Sequence, residues 1–178
     1  MFMRYKSPFW AIALFIGASS LVVFASSAVV AHAATNLIQN PSMETIGVDD
    51  YPIGWFRGGW GSNTRVFSIE TGNGKTNSIG VEVSGYADGD AKWYFADVPV
   101  IGGETYVFSD AYHSNAATQL VVRYTLIDDS FRYIKLADIP TATPWGVASK
   151  IFTVPADAVS LTIFHLINTD GFLTIDDA

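Results

Sequence analysis

The chain has 178 residues, is 49% hydrophobic and 14% aromatic, contains no cysteine and carries a net charge of −7. A chain of this size buries roughly 70% of its unfolded surface and needs no disulfide staple, so the missing cysteines say nothing about redox compartment. The surplus of carboxylates opposes phosphate backbones and anionic membrane surfaces, which argues against nucleic acid as a partner and leaves neutral polymers and divalent cations open.

The first 33 residues read as an export segment. Arg4 and Lys6 supply positive charge, Phe9 to Val30 is uncharged and apolar, and Ala31-His32-Ala33 before Ala34 has the small-x-small form of a cleavage site. The Gly17-Ala18-Ser19-Ser20 interruption favours cleavage over retention as a membrane anchor, the only membrane association expected. Residues 34–178 then form one domain, secreted or held at the cell surface.

Beyond the export segment, alternation with a period of two dominates and no window has a helical period. Strands are predicted near residues 35–39, 53–57, 64–70, 77–84, 91–99, 104–113, 119–127, 132–138, 147–154 and 159–177, the last run dividing in two. Ile79, Val81 and Val83 share one face. Leu120, Val122, Tyr124 and Leu126 form another, and Leu161, Ile163, His165 and Ile167 a third. Turn chemistry separates them at Gly72-Asn73-Gly74, Asp88-Gly89-Asp90, Gly102-Gly103, Asp128-Asp129-Ser130 and Asn168-Thr169-Asp170-Gly171. Many short strands in one domain predict an all-β antiparallel sandwich, most simply a jelly roll. Asp176-Asp177-Ala178 is still strand-like, so the last strand is expected to be cut short and a covalently linked downstream domain to follow.

Two polar residues break apolar faces. Asp110 interrupts Tyr106-Phe108-Tyr112, and His165 interrupts Leu161-Ile163-Ile167. Because buried polar groups need partners, the two are expected to meet as a hydrogen-bonded pair between the sheets.

Several segments, in order and spacing, resemble carbohydrate-binding modules of the family 4, 9 and 22 type. They are Asn36-Leu37-Ile38-Gln39-Asn40-Pro41-Ser42-Met43-Glu44, Pro52-Ile53-Gly54-Trp55, Gly103-Glu104-Thr105-Tyr106-Val107-Phe108-Ser109, Phe152-Thr153-Val154-Pro155 and Thr174-Ile175-Asp176-Asp177-Ala178. The resemblance covers essentially everything after the export segment. It implies a jelly roll that binds a polysaccharide or oligosaccharide without cleaving it. It also implies a structural Ca²⁺ held by the side chains of Glu44 and Asp176 with backbone oxygens near Ser42, and indoles packed in the core at Trp55, Trp93 and Trp145.

Sugar binding needs flat aromatic faces at the surface with hydrogen-bonding partners beside them. Rings that alternation or local polarity pushes off the core are Trp60 in a Gly-Gly-Trp-Gly loop, Tyr94 opposite Trp93, Tyr51 after Asp49-Asp50, Tyr86 before Asp88, and Phe131 and Tyr133 flanking Arg132. Arg57, Asn63, Gln119 and Arg123 are the candidate polar partners. Catalytic signatures are scarce: there is no Cys nucleophile, His-Glu-x-x-His motif or Gly-x-Ser-x-Gly elbow. Asp49-Asp50 and Asp128-Asp129 read as turns rather than as the paired carboxylates of a glycosidase. The expected class is therefore a non-catalytic binding module. The alternatives are a structural or adhesive β-sandwich of a surface protein without sugar binding, and a small jelly-roll hydrolase.

Overall fold

The structure, a computed structural model, describes residues 2–5 and 35–178. Most of the expected export segment, residues 6–33, thus lies outside the described residues. The described chain is all β. In order the strands are β1 (Met3–Tyr5), β2 (Trp55–Trp60), β3 (Thr64–Glu70), β4 (Ser78–Ser84), β5 (Asp90–Phe95), β6 (Val98–Pro99), β7 (Thr105–Ser114), β8 (Thr118–Leu126), β9 (Phe131–Ile139), β10 (Ala142–Thr153), β11 (Ala158–Ile167) and β12 (Gly171–Asp176).

They form two antiparallel sheets. The first runs β1-β7-β12-β4-β3, with β10 on the other edge of β7. The second runs β2-β5-β11-β8-β9, with β6 also pairing β11. The inward faces are those that alternation assigned. Ile79, Val81 and Val83 from β4 meet Leu120, Val122 and Tyr124 from β8 and Leu161, Ile163 and Ile167 from β11 in one buried core. Around them pack Phe95, Phe108 and Tyr106, with the Phe95 and Phe108 rings 6.3 Å apart. Aromatic contacts of this kind add about 0.5–1.5 kcal/mol beyond the area they bury.

Two fully buried polar links cross the sandwich among the described residues. The indole N–H of Trp93 on β5 donates to the Gly80 carbonyl on β4 at 2.8 Å. Asp110 Oδ2 on β7 lies 2.8 Å from His165 Nδ1 on β11, and His165 Nε2 lies 2.8 Å from the Thr118 hydroxyl on β8. With the proton on Nδ1, the imidazole donates to the carboxylate and accepts from the hydroxyl. All three residues are at most 1% exposed. The predicted pair therefore exists, with Thr118 as an unforeseen third member.

Three expectations need correction. Residues 35–39 are not a strand, because asparagine side chains take over the backbone partners there. Asn36 Oδ1 accepts the Ile38 N–H, and Asn40, at φ 53°, bonds the Thr45 amide and carbonyl. The run 91–99 breaks into β5 and β6, because the Ala96 N–H turns away to the Gly54 carbonyl. Trp145, expected in the core, is only half-buried and packs on the outer side of the first sheet against His113, ring centroids 6.0 Å apart. Trp55 and Trp93 are core residues.

Asp110→Asn and His165→Gln are each expected to destabilise the fold. Urea denaturation of both variants and the double mutant should give a combined loss smaller than the sum of the single losses, by about 0.5–3 kcal/mol. Additive losses would show that the two groups do not stabilise one another.

Candidate functional site

The outer face of the second sheet carries an open cleft of about 570 Å³. The strand registers explain its contents. Phe56, Tyr94, Phe164, Val121 and Lys135 lie level with one another across β2, β5, β11, β8 and β9. One step along the strands, Gly58, Lys92, Leu166, Gln119 and Asp138 form the adjacent row. Phe56, Tyr94, Phe164 and Val121 thus lie beside a mixed row that brings in Lys92 and Gln119. Within the first row the Tyr94 ring stands 5.6 Å from Phe56 and 5.3 Å, edge-on, from Phe164. Tyr133 reaches Phe164 from β9 at 6.2 Å.

Each basic residue at the cleft is held by an aspartate. Lys92 Nζ pairs with Asp90 Oδ1 at 2.5 Å, and Arg123 Nη2 pairs with Asp97 Oδ1 at 2.5 Å while its guanidinium covers Phe131 at 4.9 Å. Asp97 is shared with the Thr125 hydroxyl, which donates to Oδ2 at 3.0 Å. Asp90 is shared too, since the Trp60 indole N–H donates to its Oδ2 at 3.0 Å. Trp60 is 61% exposed, so this bond, rather than packing, orients its ring at the rim. Gly58 lets Tyr94 and Lys92 lie close over β2: a Cβ there would stand 3.1 Å from the Tyr94 ring and 3.3 Å from Lys92 Cε, so both side chains would have to shift by a few tenths of an ångström.

Among the predicted recognition residues, the cleft gathers Trp60, Tyr94 and Tyr133, together with Gln119 and Arg123. Tyr51, Tyr86 and Arg57 lie elsewhere. Arg57 pairs with Trp93 in register and so sits on the inner side of β2, where it donates to the Tyr51 hydroxyl at 2.8 Å and stacks on that ring at 4.0 Å. Tyr86 turns its hydroxyl onto the Gly89 carbonyl at 3.2 Å. Phe164, Lys92 and Asn168 also line the cleft and were not singled out by sequence. The available signal for Phe164 was an aromatic residue on the face opposite Ile163 and His165. Asp90 is the only carboxylate among the described lining residues.

A second site lies where the two ends of the domain meet. The Ala178 N–H donates to the Pro41 carbonyl at 2.9 Å, and Asn36 Nδ2 donates to the Ala178 carbonyl at 2.8 Å. The predicted metal carboxylates converge on the loop between β3 and β4. Glu44 Oε1 accepts the Thr76 and Asn77 amides at 3.0 Å each, and Asp176 Oδ2 accepts the Asn73 amide at 2.8 Å. Ser42 is half-buried in the turn between Pro41 and Glu44. Asp176 is fully buried, and that burial pushes its carboxyl above the usual range, against the amides of Asn73 and Asp177 that pull it down. Lys75 pairs with Asp177, and that hydrogen bond holds its ammonium above its ordinary value. Among the described residues no three acidic, histidine or cysteine side chains cluster closely enough to hold a metal by themselves. Any ion here would need backbone carbonyls, which hard cations accept.

No protein-family model matches the sequence, and no curated protein matches it. Solved structures do match in shape. A tailspike protein of bacteriophage CBA120, its enzymatically active domain, superposes with a TM-score of 0.61 at 15% identity over 80% of this chain and 20% of the tailspike chain. A family 4 carbohydrate-binding module gives 0.53 at 16% identity, over 79% of this chain and 96% of that one. The family 22 binding module and family 10 catalytic module of a Clostridium thermocellum xylanase, complexed with xylohexaose, give 0.51 at 19% identity, over 69% of this chain and 25% of that one. This chain therefore spans about a fifth and a quarter of the tailspike and xylanase chains. At these identities the likeness concerns the fold alone: the domain is an antiparallel jelly-roll sandwich.

If Asp90 orients the exposed indole, Asp90→Ala should lower the ¹⁵N heteronuclear NOE of the Trp60 indole. The buried Trp93 indole should keep its own value and the melting temperature should fall by no more than about 4 °C, as for a loss near 1 kcal/mol. An unchanged Trp60 signal would mean that the ring is held by something else.

Proposed function

We propose that this chain is a non-catalytic carbohydrate-binding domain of an exported or surface-held protein, and that its ligand is a polysaccharide or oligosaccharide bound in the cleft of the second sheet. The observation that carries this reading is a cleft lined by the rings of Trp60, Tyr94 and Tyr133 over the buried Phe164, with Lys92, Gln119 and Asp90 beside them. Pyranose rings present an apolar C–H face to such aromatics and hydroxyls to such polar groups. Covering roughly 50–100 Å² of apolar area per ring is worth about 1–2.5 kcal/mol. Two or three rings then correspond to dissociation constants from about millimolar to micromolar after association costs. Support also comes from the family 4 module and from the xylanase whose family 22 binding module and family 10 catalytic module were crystallised together with xylohexaose.

The non-catalytic reading rests on Asp90 being the one carboxylate among the described lining residues of the cleft, already engaged by Lys92 and Trp60. Glycoside hydrolysis needs two carboxyl groups across one sugar. The tailspike's description as enzymatically active belongs to a chain of which this domain matches a fifth. Export is the reading of residues 1–33. A covalently linked downstream domain would gain from a module that holds it near its polymer.

A Ca²⁺ ion at the meeting of the two ends belongs to the same proposal. Glu44 and Asp176 would hold it, with backbone oxygens near Ser42. The support is a fully buried Asp176 carboxylate next to Asp177, with Glu44 seated on the Thr76 and Asn77 amides of the same loop that Asp176 caps at Asn73. The ion would be structural, stabilising the folded state by mass action.

Two measurements test these readings. Affinity electrophoresis against soluble xylan, β-glucan and galactan is expected to show retardation by at least one polymer. Trp60→Ala and Tyr94→Ala should each weaken it about tenfold or more while leaving the circular dichroism intact. No retardation by any polymer, or variants that bind as well as the parent, would contradict the assignment. Separately, EDTA is expected to lower the melting temperature by about 5–10 °C and excess Ca²⁺ to restore it, from roughly 2.7 kcal/mol of linkage at a hundredfold excess over Kd. Glu44→Gln should abolish the response. A melting temperature indifferent to both reagents would remove the ion from the account.

A further inference from the structure

We propose that the edge of β7 over Thr105–Val107 is a strand-acceptor seat, which takes an extended peptide carrying a phenylalanine-sized anchor, and that Phe2–Tyr5 is its built-in occupant. One edge of β7 is paired with β10 from Thr105 to Ser114. The other edge is divided. β12 pairs with Ala111–Ser114, and β1 pairs with Thr105–Val107 through Met3↔Val107, Arg4↔Tyr106 and Tyr5↔Thr105. Both run antiparallel to β7, so β1 continues the line and direction of β12 although the two strands stand at opposite ends of the sequence.

The seat has the two parts that strand addition requires: a free main-chain edge for affinity and a side-chain pocket for selectivity. The pocket takes Phe2, which is fully buried. Its ring stacks on Tyr106 at 5.2 Å and 11°, and meets Phe152 at 6.1 Å and Phe95 at 6.4 Å. The main chain is held at the same point. The Phe2 carbonyl accepts the Leu37 N–H at 3.2 Å and its N–H donates to Asn36 Oδ1 at 3.4 Å. Asn36 Nδ2 simultaneously holds the Ala178 carbonyl. One asparagine thus clamps the junction between β12 and whatever lies in line with it.

The occupant is weakly committed. Three ladder residues and one buried ring are a small contact, and covalent tethering supplies an effective concentration of order millimolar that a separate peptide would lack. Removal of the export segment, the reading given to residues 1–33, would vacate the seat on the exported domain. It would leave an unpaired edge, which is a template for another strand. The partner that fits is an extended peptide with phenylalanine level with Phe2 and a non-proline backbone after it, supplied in trans.

The experiment uses the full chain with a protease site introduced within residues 6–34. After cleavage, a fluorescein-labelled Met-Phe-Met-Arg-Tyr-Lys peptide is added in excess and binding is read by anisotropy. Saturable binding is expected, displaced by unlabelled peptide, with a Phe2→Ala peptide and a scrambled peptide each weaker by roughly tenfold or more. If the cleaved domain unfolds on losing its N-terminal piece, added peptide should restore its near-ultraviolet dichroism and the Phe2→Ala peptide should not. A folded, cleaved domain that takes up no peptide would overturn the proposal. So would one that binds both peptides equally, or an unfolded one that no peptide rescues.

Discussion

The structure depends on the two-sided character of its central strand. β11 lies between β5 and β8, and successive side chains on it must point to opposite faces. Leu161, Ile163, His165 and Ile167 build the core and, through His165 and Asp110, the polar link to the opposite sheet. Phe164 and Leu166 form the cleft floor on the other side. A register slip of one residue would exchange these sets, putting the imidazole into solvent and a phenylalanine where Asp110 waits. The buried Asp110–His165–Thr118 chain therefore specifies the register that also exposes the cleft, and core and cleft are two consequences of one alignment.

Much of the fold was legible because its strands are half-buried, and half-burial writes itself as alternation. The inner faces of β4, β8 and β11 could be read directly, as could the partnership of two lone polar residues on apolar faces. The segment 35–39 could not: its alternation is genuine, but Asn36 and Asn40 offer the backbone nearer partners than a neighbouring strand does. Trp145 misled because an indole invites the core, whereas its strand pairs at the edge of the first sheet and turns the ring outward onto His113.

The cleft was only partly legible. Trp60, Tyr94 and Tyr133 stand out because period-two reasoning or a glycine-rich surrounding puts their rings outside. Tyr51, Tyr86 and Arg57 have equally polar neighbourhoods, yet they lie at the inner edge of β2 or in the turn before β5. Which loops and strands share a face depends on the order β2-β5-β11-β8-β9, and chain order does not contain it. Phe164 was hidden for the opposite reason: in so apolar a strand an outward phenylalanine looks like one more core residue. The meeting of the two ends at Pro41, Asn36 and Ala178 was anticipated from the motifs Asn40–Glu44 and Ile175–Ala178, whereas the share of Phe2 in that neighbourhood was not.

The central claim is that the outer face of the second sheet is a sugar-binding surface. It is tested most directly by residue-resolved NMR titration with a panel of hexasaccharides that includes xylohexaose. The account predicts that at least one of them shifts the Trp60 indole and the Tyr94, Phe164 and Gln119 resonances along a single saturable curve, while Trp145 and His113 on the opposite sheet stay still. Saturable shifts confined to the first sheet, or none on either face with any oligosaccharide, would contradict it.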